Sequence, residues 1–203
     1  MGNERTVFII DDDEGIREGL SLLLSTVGQA CQIFSSALEF LEQFNQNMNG
    51  CLVLDIRMPE MSGLQLQEKL NVQKSTLPII FITGHGDVPM AVEAMRCGAL
   101  GFIRKPFREQ DLLDNINEAL ALDTKNRQKS DDRHELAEKI ELLSQRERAV
   151  FEAVTEGDMN KVIAADLSIS ERTVEVHRAQ IMKKLGVRTL AQLVRIKVEV
   201  ELL

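Results

Sequence analysis

An α/β domain on a five-stranded, doubly wound parallel sheet, followed by an all-α domain containing a helix-turn-helix, is the architecture this 203-residue sequence predicts. Three observations carry that prediction. Short apolar runs alternate with helix-patterned segments through residue 122. No strand pattern remains after residue 140. Beyond that point a small-residue helix and a longer one are joined by a tight turn, as in a helix-turn-helix.

The first run, Val7-Phe8-Ile9-Ile10, is unbroken, as a strand buried on both faces requires. Ile16, Leu20, Leu23, Leu24 and Val27 then recur at helical spacing. Further runs at about 30–34, 51–55, 78–82 and 100–104 complete the five strands, each separated by a helical pattern. A helix over 108–121 follows. From Asp123 to Lys129 charges alternate in sign with no Gly or Pro, which reads as a solvated helical linker or a continuation of that helix. Helices are expected at about 144–156, 160–167, 171–184 and 189–200, broken at Gly157-Asp158 and Gly186, with Ser170-Glu171 starting the third. The domain limits so drawn are 1–122, a linker at 123–140, and 141–203.

Hydrophobic residues make up 44% of the chain, enough for two cores, and Trp and Tyr are absent. No apolar stretch approaches the roughly 20 residues of a membrane span, and no signal-peptide pattern opens the chain, so a cytoplasmic protein is expected. Met1-Gly2-Asn3-Glu4-Arg5-Thr6 fits a loose myristoylation pattern but runs straight into a buried strand. Cys31, Cys51 and Cys97 are far apart and lack metal-ligand spacing; they read as buried thiols in a reducing compartment. Residues 1–122 carry 9 Lys/Arg against 17 Asp/Glu, whereas 159–197 carry 8 against 3, so the two halves suit different partners.

Asp55 ends the run Cys51-Leu52-Val53-Leu54, and Asp11 and Asp12 end the first strand. An ionised carboxylate is costly in a packed core, so these strands must deliver it to a cleft. Parallel strands ending together would gather the three acids at one sheet edge. Their mutual repulsion calls for a hard cation, hence Mg²⁺. Thr83 ends the fourth strand and faces the same cleft, where it could donate to a phosphoryl oxygen. Lys105, before Pro106 and with a cis bond compatible there, could pair with that group. An acid pocket, a lysine and a carboxylate nucleophile together suit phosphoryl transfer. Capping of a following helix explains Asp13 and Glu14 better than Asp55, since no helix starts until about Gly63. His85 and His177 have no second ligand at metal-binding spacing.

The set Ile10-Asp11-Asp12, Leu54-Asp55-Ile56-Arg57-Met58-Pro59, Ile82-Thr83-Gly84 and Arg104-Lys105-Pro106 resembles a response-regulator receiver domain, which is flavodoxin-like and CheY-like in fold. The resemblance implies that Asp55 accepts a phosphoryl group from a phosphohistidine on a sensor histidine kinase. It implies Mg²⁺ on Asp11, Asp12, Asp55 and the backbone carbonyl of Arg57, and a switch pair of Thr83 and Phe102. Phe102 stands where many receivers carry Tyr, so the switch here lacks that hydroxyl.

In the second half Val174, Ile181 and Leu185 mark a core face, with Arg172, Glu175, Arg178 and Lys183 mostly elsewhere. Leu143-Ser144-Gln145-Arg146-Glu147, Asn160-Lys161-Val162-Ile163-Ala164, Thr173-Val174-Glu175-Val176-His177 and Lys183-Lys184-Leu185-Gly186-Val187 resemble a LuxR/NarL-type output domain, and the whole chain is similar to FixJ-like response regulators. That resemblance implies binding of double-stranded promoter DNA by Lys161, Arg172, Thr173, Glu175, Val176, Arg178, Ala179 and Lys183. Glu175 stands where many relatives carry Lys, and leaves the base preference open. Also implied are a phosphorylation-dependent homodimer through the fourth helix and fifth strand of the receiver, RNA polymerase as a further partner, and a dimerising face of Leu190, Leu193, Val194, Val198 and Leu202. Two rivals are a phosphatase or phosphotransferase with an aspartate nucleophile, and a protein-interaction adaptor. The first usually places an acid–base residue two positions beyond the nucleophile, where Arg57 stands here, so no enzymatic turnover is expected.

Overall fold

The computed structural model describes residues 5–84 and 88–201; His85, Leu202 and the Met1-Gly2-Asn3-Glu4 stretch lie outside the described residues. The chain forms two compact units, Met1–Arg127 and Gln128–Leu203.

In the first unit, strands β1 (Thr6–Ile10), β2 (Cys31–Phe34), β3 (Gly50–Asp55), β4 (Ile79–Thr83) and β5 (Gly101–Arg104) alternate with helices α1 (Glu14–Thr26), α2 (Ala37–Gln43), α3 (Gly63–Val72), α4 (Val88–Arg96) and α5 (Glu109–Glu141). The strands are all parallel, in the order β2-β1-β3-β4-β5. The order reverses between β1 and β3, which opens a crevice at their carboxyl ends. Successive strand residues point to opposite faces. Phe8, Ile10, Leu52, Leu54 and Phe81 therefore pack with Phe40, Leu66 and Ala94 on one side. Val7, Ile9, Val53, Ile80 and Ile82 pack with Leu20, Leu24, Leu112 and Ile116 on the other.

Two expectations about this unit are corrected. Of the cysteines only Cys51 is buried; Cys31 and Cys97 are half-buried. Cys31 lies on β2, which among the described residues is an edge strand paired with β1, and Cys97 follows the last turn of α4. Asp123, read from its charged neighbours as part of a solvated linker, is fully buried. Its carboxylate accepts from the Gly50 N–H at 3.0 Å and from Arg127 Nε at 2.9 Å, and Arg127 also donates to the Met48 carbonyl. Gly50 has φ +140°, and a Cβ there would come within 1.8 Å of the Thr6 carbonyl oxygen. This cluster ties the middle of α5 to the start of β3, and the compact unit accordingly runs on to Arg127.

The second unit holds the end of α5 and helices α6 (Gln145–Glu156), α7 (Asn160–Asp166), α8 (Glu171–Leu185) and α9 (Leu190–Glu201). Ser144 and Glu147 form a capping box at the start of α6, and Ser170 caps α8 by accepting from the Thr173 N–H at 3.1 Å. Gly157 and Gly186 end α6 and α8 in the left-handed conformation. Val150, Phe151, Ile163, Val174, Ile181, Leu185, Leu193 and Ile196 form the core. Leu193 was expected on a dimerising face; it is instead buried, because Leu193 and Ile196 stand three apart on the side of α9 turned inward. Leu190 and Val198 remain exposed, with Val194 between the two extremes. No helix among the described residues is long and apolar enough to cross a membrane.

Candidate functional site

The first candidate site lies at the crevice between β1 and β3. Ile10 and Leu54 are register partners, so the residues that follow them, Asp11 and Asp55, leave the sheet side by side. Both carboxylates are buried, with Asp11 1% and Asp55 6% exposed. Lys105 leaves β5 next to a cis peptide bond to Pro106, and its backbone N–H donates to the Thr83 carbonyl at 2.7 Å. Its side chain reaches back across β4, putting Nζ 2.6 Å from Asp11 Oδ2 and 3.0 Å from Asp55 Oδ1. The backbone N–H of Arg57 donates to Asp55 Oδ2 at 2.6 Å, and that of Asp13 donates to Asp11 Oδ1 at 3.0 Å.

Two carboxylates around one ammonium leave the pocket net negative. Burial raises the Asp55 pKa above the ordinary aspartate value, the Asp11 carboxylate adds to this, and Lys105 and the Arg57 N–H oppose it. For Lys105 burial acts against the charge, yet the bonds to Asp11 and Asp55 prevail and hold the ammonium above its usual pKa.

The expected trio of acids is divided. Asp12 is exposed beside its buried neighbour Asp11, in the bend that follows β1. Among the described residues no three His, Cys, Asp or Glu side chains stand close enough to cage a metal ion. The donors present are nonetheless hard oxygens, and Mg²⁺ keeps several waters and needs only one or two carboxylates. The buried carboxylates of Asp11 and Asp55 are donors of the kind that ion takes. Thr83 is buried at the end of β4, in register with Arg104. Phe102 pairs in register with Phe81 and packs half-buried against the core around it.

Arg17 was missed: its Nη1 donates to the Asp11 carbonyl at 2.8 Å and so holds the end of β1. Its only mark in the sequence is a basic side chain on an otherwise solvated helix face. The Arg57 and Asp13 amides were missed as well, because backbone donors leave no trace in residue type.

The second candidate site is the exposed side of α8. Ser168, at φ +54°, and the bond from the Ile169 N–H to the Ala164 carbonyl make the tight turn that leads from α7 into it. Val174, Ile181 and Leu185 are buried. Arg172, Glu175, Val176 and Ala179 are exposed and line one shallow depression. Lys161 on α7 and Lys183 on α8 are exposed too. Thr173 and Arg178 are half-buried: the Thr173 hydroxyl lies 2.8 Å from that of Ser170, and Arg178 Nη1 donates to Asn160 Oδ1 at 2.7 Å.

Comparison with known proteins gives a consistent picture. Residues 7–117 match the response regulator receiver domain, and residues 141–197 match the luxR family of bacterial regulatory proteins. The response regulator protein TmoT of Ectopseudomonas mendocina is 48% identical over 95% of this chain and 88% of its own length. The transcriptional regulatory protein FixJ of Rhizobium meliloti is 46% identical over 94% of this chain and 93% of its own. Among solved structures, the response regulator StyR is similar with a TM-score of 0.79 and 47% identity, covering 97% of this chain and 99% of that one. Full-length FixJ from B. japonicum gives a TM-score of 0.60 at 37% identity, covering 99% of each chain.

Proposed function

The chain belongs to the two-component response regulators that join a receiver domain to a luxR-family DNA-binding domain, and on that premise we propose that Asp55 is its phosphoacceptor and α8 its DNA-recognition helix. The observation that carries the proposal is Asp55 at the crevice where the strand order reverses, 3.0 Å from the Lys105 ammonium. A histidine kinase's phosphohistidine supplies the phosphoryl group. An Asp55 carboxylate oxygen attacks phosphorus, a P–O bond forms, the P–N bond breaks, and the imidazole leaves. Lys105 then pairs with a phosphoryl oxygen, and Thr83 donates its hydroxyl to another. Asp11, Asp12, Asp55 and the Arg57 carbonyl would hold Mg²⁺, which when bound supplies positive charge against the transferring group.

Phosphorylation biases an existing equilibrium. Thr83 moves towards the phosphoryl group and Phe102 turns into the space it vacates. The switched form dimerises through α4 and β5; Val88, Val92 and Met95 on α4 offer exposed apolar surface for this, at 72%, 45% and 48% exposure. Two output domains then meet DNA half-sites one or more helical turns apart, with Leu190 and Val198 of α9 available for a second contact between them. Lys161, Arg172 and Lys183 supply cations for phosphates, and Thr173, Glu175, Val176, Arg178 and Ala179 lie at or beside the bases. RNA polymerase is a further partner. The setting is cytoplasmic, and the chain turns over no external substrate, a reading supported by Arg57 standing where an acid–base group would be needed.

The test is duplex binding over a salt series with and without acetyl phosphate and Mg²⁺. Affinity should rise on phosphorylation and fall steeply with salt. Binding that ignores both salt and phosphorylation would overturn the proposal and favour the adaptor.

A further inference from the structure

We infer that Glu175 reads sequence for this regulator, selecting cytosine at one position of each half-site, with Val176 and Ala179 against thymine methyl groups beside it. The inference rests on the DNA-binding function of α8.

Arg172, Glu175, Val176 and Ala179 follow the spacing i, i+3, i+4, i+7, so they share one helix face. All four are exposed and line the same depression. They offer a major groove one cation, one carboxylate and two small apolar surfaces. No hydrogen bond or ion pair engages the Glu175 carboxylate among the described residues. The other long cation nearby, Arg178, is turned aside to Asn160 at 2.7 Å. The middle of the face is therefore held by Glu175, with Arg172 at the helix entrance.

A carboxylate is repelled by phosphates and tolerates a DNA interface only where it meets a donor. The floor of the major groove limits its choices. Guanine presents two acceptors, N7 and O6, and thymine presents the O4 acceptor. Adenine presents the N6 donor next to the N7 acceptor, which repels one carboxylate oxygen. Cytosine presents the N4 donor without an acceptor on its own edge. Val176 and Ala179 have no polar side-chain atoms, so what they can discriminate is the thymine methyl.

The experiment is selection from randomised duplexes by the full-length protein treated with acetyl phosphate, run for the wild type, Glu175→Gln and Glu175→Ala. The wild type should enrich cytosine about tenfold or more over each other base at one position per half-site. Glu175→Gln should move that position to adenine, whose N6 and N7 suit an amide. Glu175→Ala should lose preference there and keep the rest of the motif. A motif that is the same for all three proteins, or one with no cytosine at a position sensitive to residue 175, would overturn the inference and leave DNA binding standing. If none of the three enriches any motif and binding does not depend on salt, the DNA-binding reading itself falls, and the inference with it.

Discussion

The receiver pocket draws its groups from the ends of separate strands, with Asp11 and Lys105 meeting across 94 positions of sequence, whereas nearly all the DNA-facing candidates belong to the single helix α8, with Lys161 alone outside it. The first site is buried and its charges face one another; burial first, then Lys105 and Asp11, set the Asp55 pKa, and the two carboxylates hold that of Lys105 up. The second is largely exposed, with Thr173 and Arg178 half-buried and tied to Ser170 and Asn160. Chemistry that must hold a phosphoryl group needs charges kept in place out of water. Reading a base edge needs side chains that reach outward from a rigid helix.

The contrast can be broken most sharply at Asp55. Asp55→Asn keeps the shape but replaces a carboxylate by a far poorer nucleophile, and should abolish the added mass after acetyl phosphate treatment with little change in melting temperature. An unchanged yield of modified protein would move the acceptor elsewhere.

The next effect tests whether long-range convergence also governs the opposite end of the first unit. Asp123→Ala strands the Gly50 N–H and leaves Arg127 without its carboxylate. It should cost about 2–4 kcal/mol, towards the lower side of the range for broken buried pairs, because Arg127 keeps 26% of its side chain in water. Denaturant unfolding of the full chain should show the loss in the receiver transition alone. A loss under about 0.5 kcal/mol, the size of an ordinary surface change, would make Asp123 a bystander.

On α8 the effects should be smaller and separable. Arg172→Ala removes a cation at the helix entrance, so affinity should fall for specific and scrambled duplexes alike and the salt slope should flatten by about one unit. Arg178→Ala should cost less, since Asn160 already holds that guanidinium. Equal and sequence-selective losses for both would reverse these roles.

The mildest prediction concerns acid. The bond from Lys184 and the Ser144 N–H hold the Glu147 pKa down at about 2, from an ordinary 4.5. A depressed carboxylate contributes stability that is fully present above its unfolded pKa and lost as pH falls through the folded one. The output unit should therefore weaken between about pH 4.5 and 2, and Glu147→Gln should flatten that stretch of the curve. An identical pH profile in the variant would show that the pair contributes nothing.

Strands and helices were legible because their periodicities are local. An unbroken run such as Val7–Ile10 or Cys51–Leu54, and the recurrence of Val174, Ile181 and Leu185, specify an element without reference to anything distant. Asp55, Lys105 and Thr83 stood out because polar residues ending apolar runs are delivered to a sheet edge. Asp123 and Arg127 look like any alternating charges until β3 is seen to start opposite them. Leu193 looks no different from Leu190 until α9 is packed.

The amino-acid sequence by itself determined the two-part architecture, the five-strand alternation, the acid and lysine of the pocket, and the helix that faces outward. Each of these follows from spacing along the chain and from the cost of burying charge. Only the tertiary structure decided that Asp11 pairs with Lys105 while Asp12 faces water, that Arg17 secures the end of β1, that the first unit reaches to Arg127, and that Leu193 belongs to the core. Those outcomes depend on what stands across the space between elements, and a linear pattern carries no record of it.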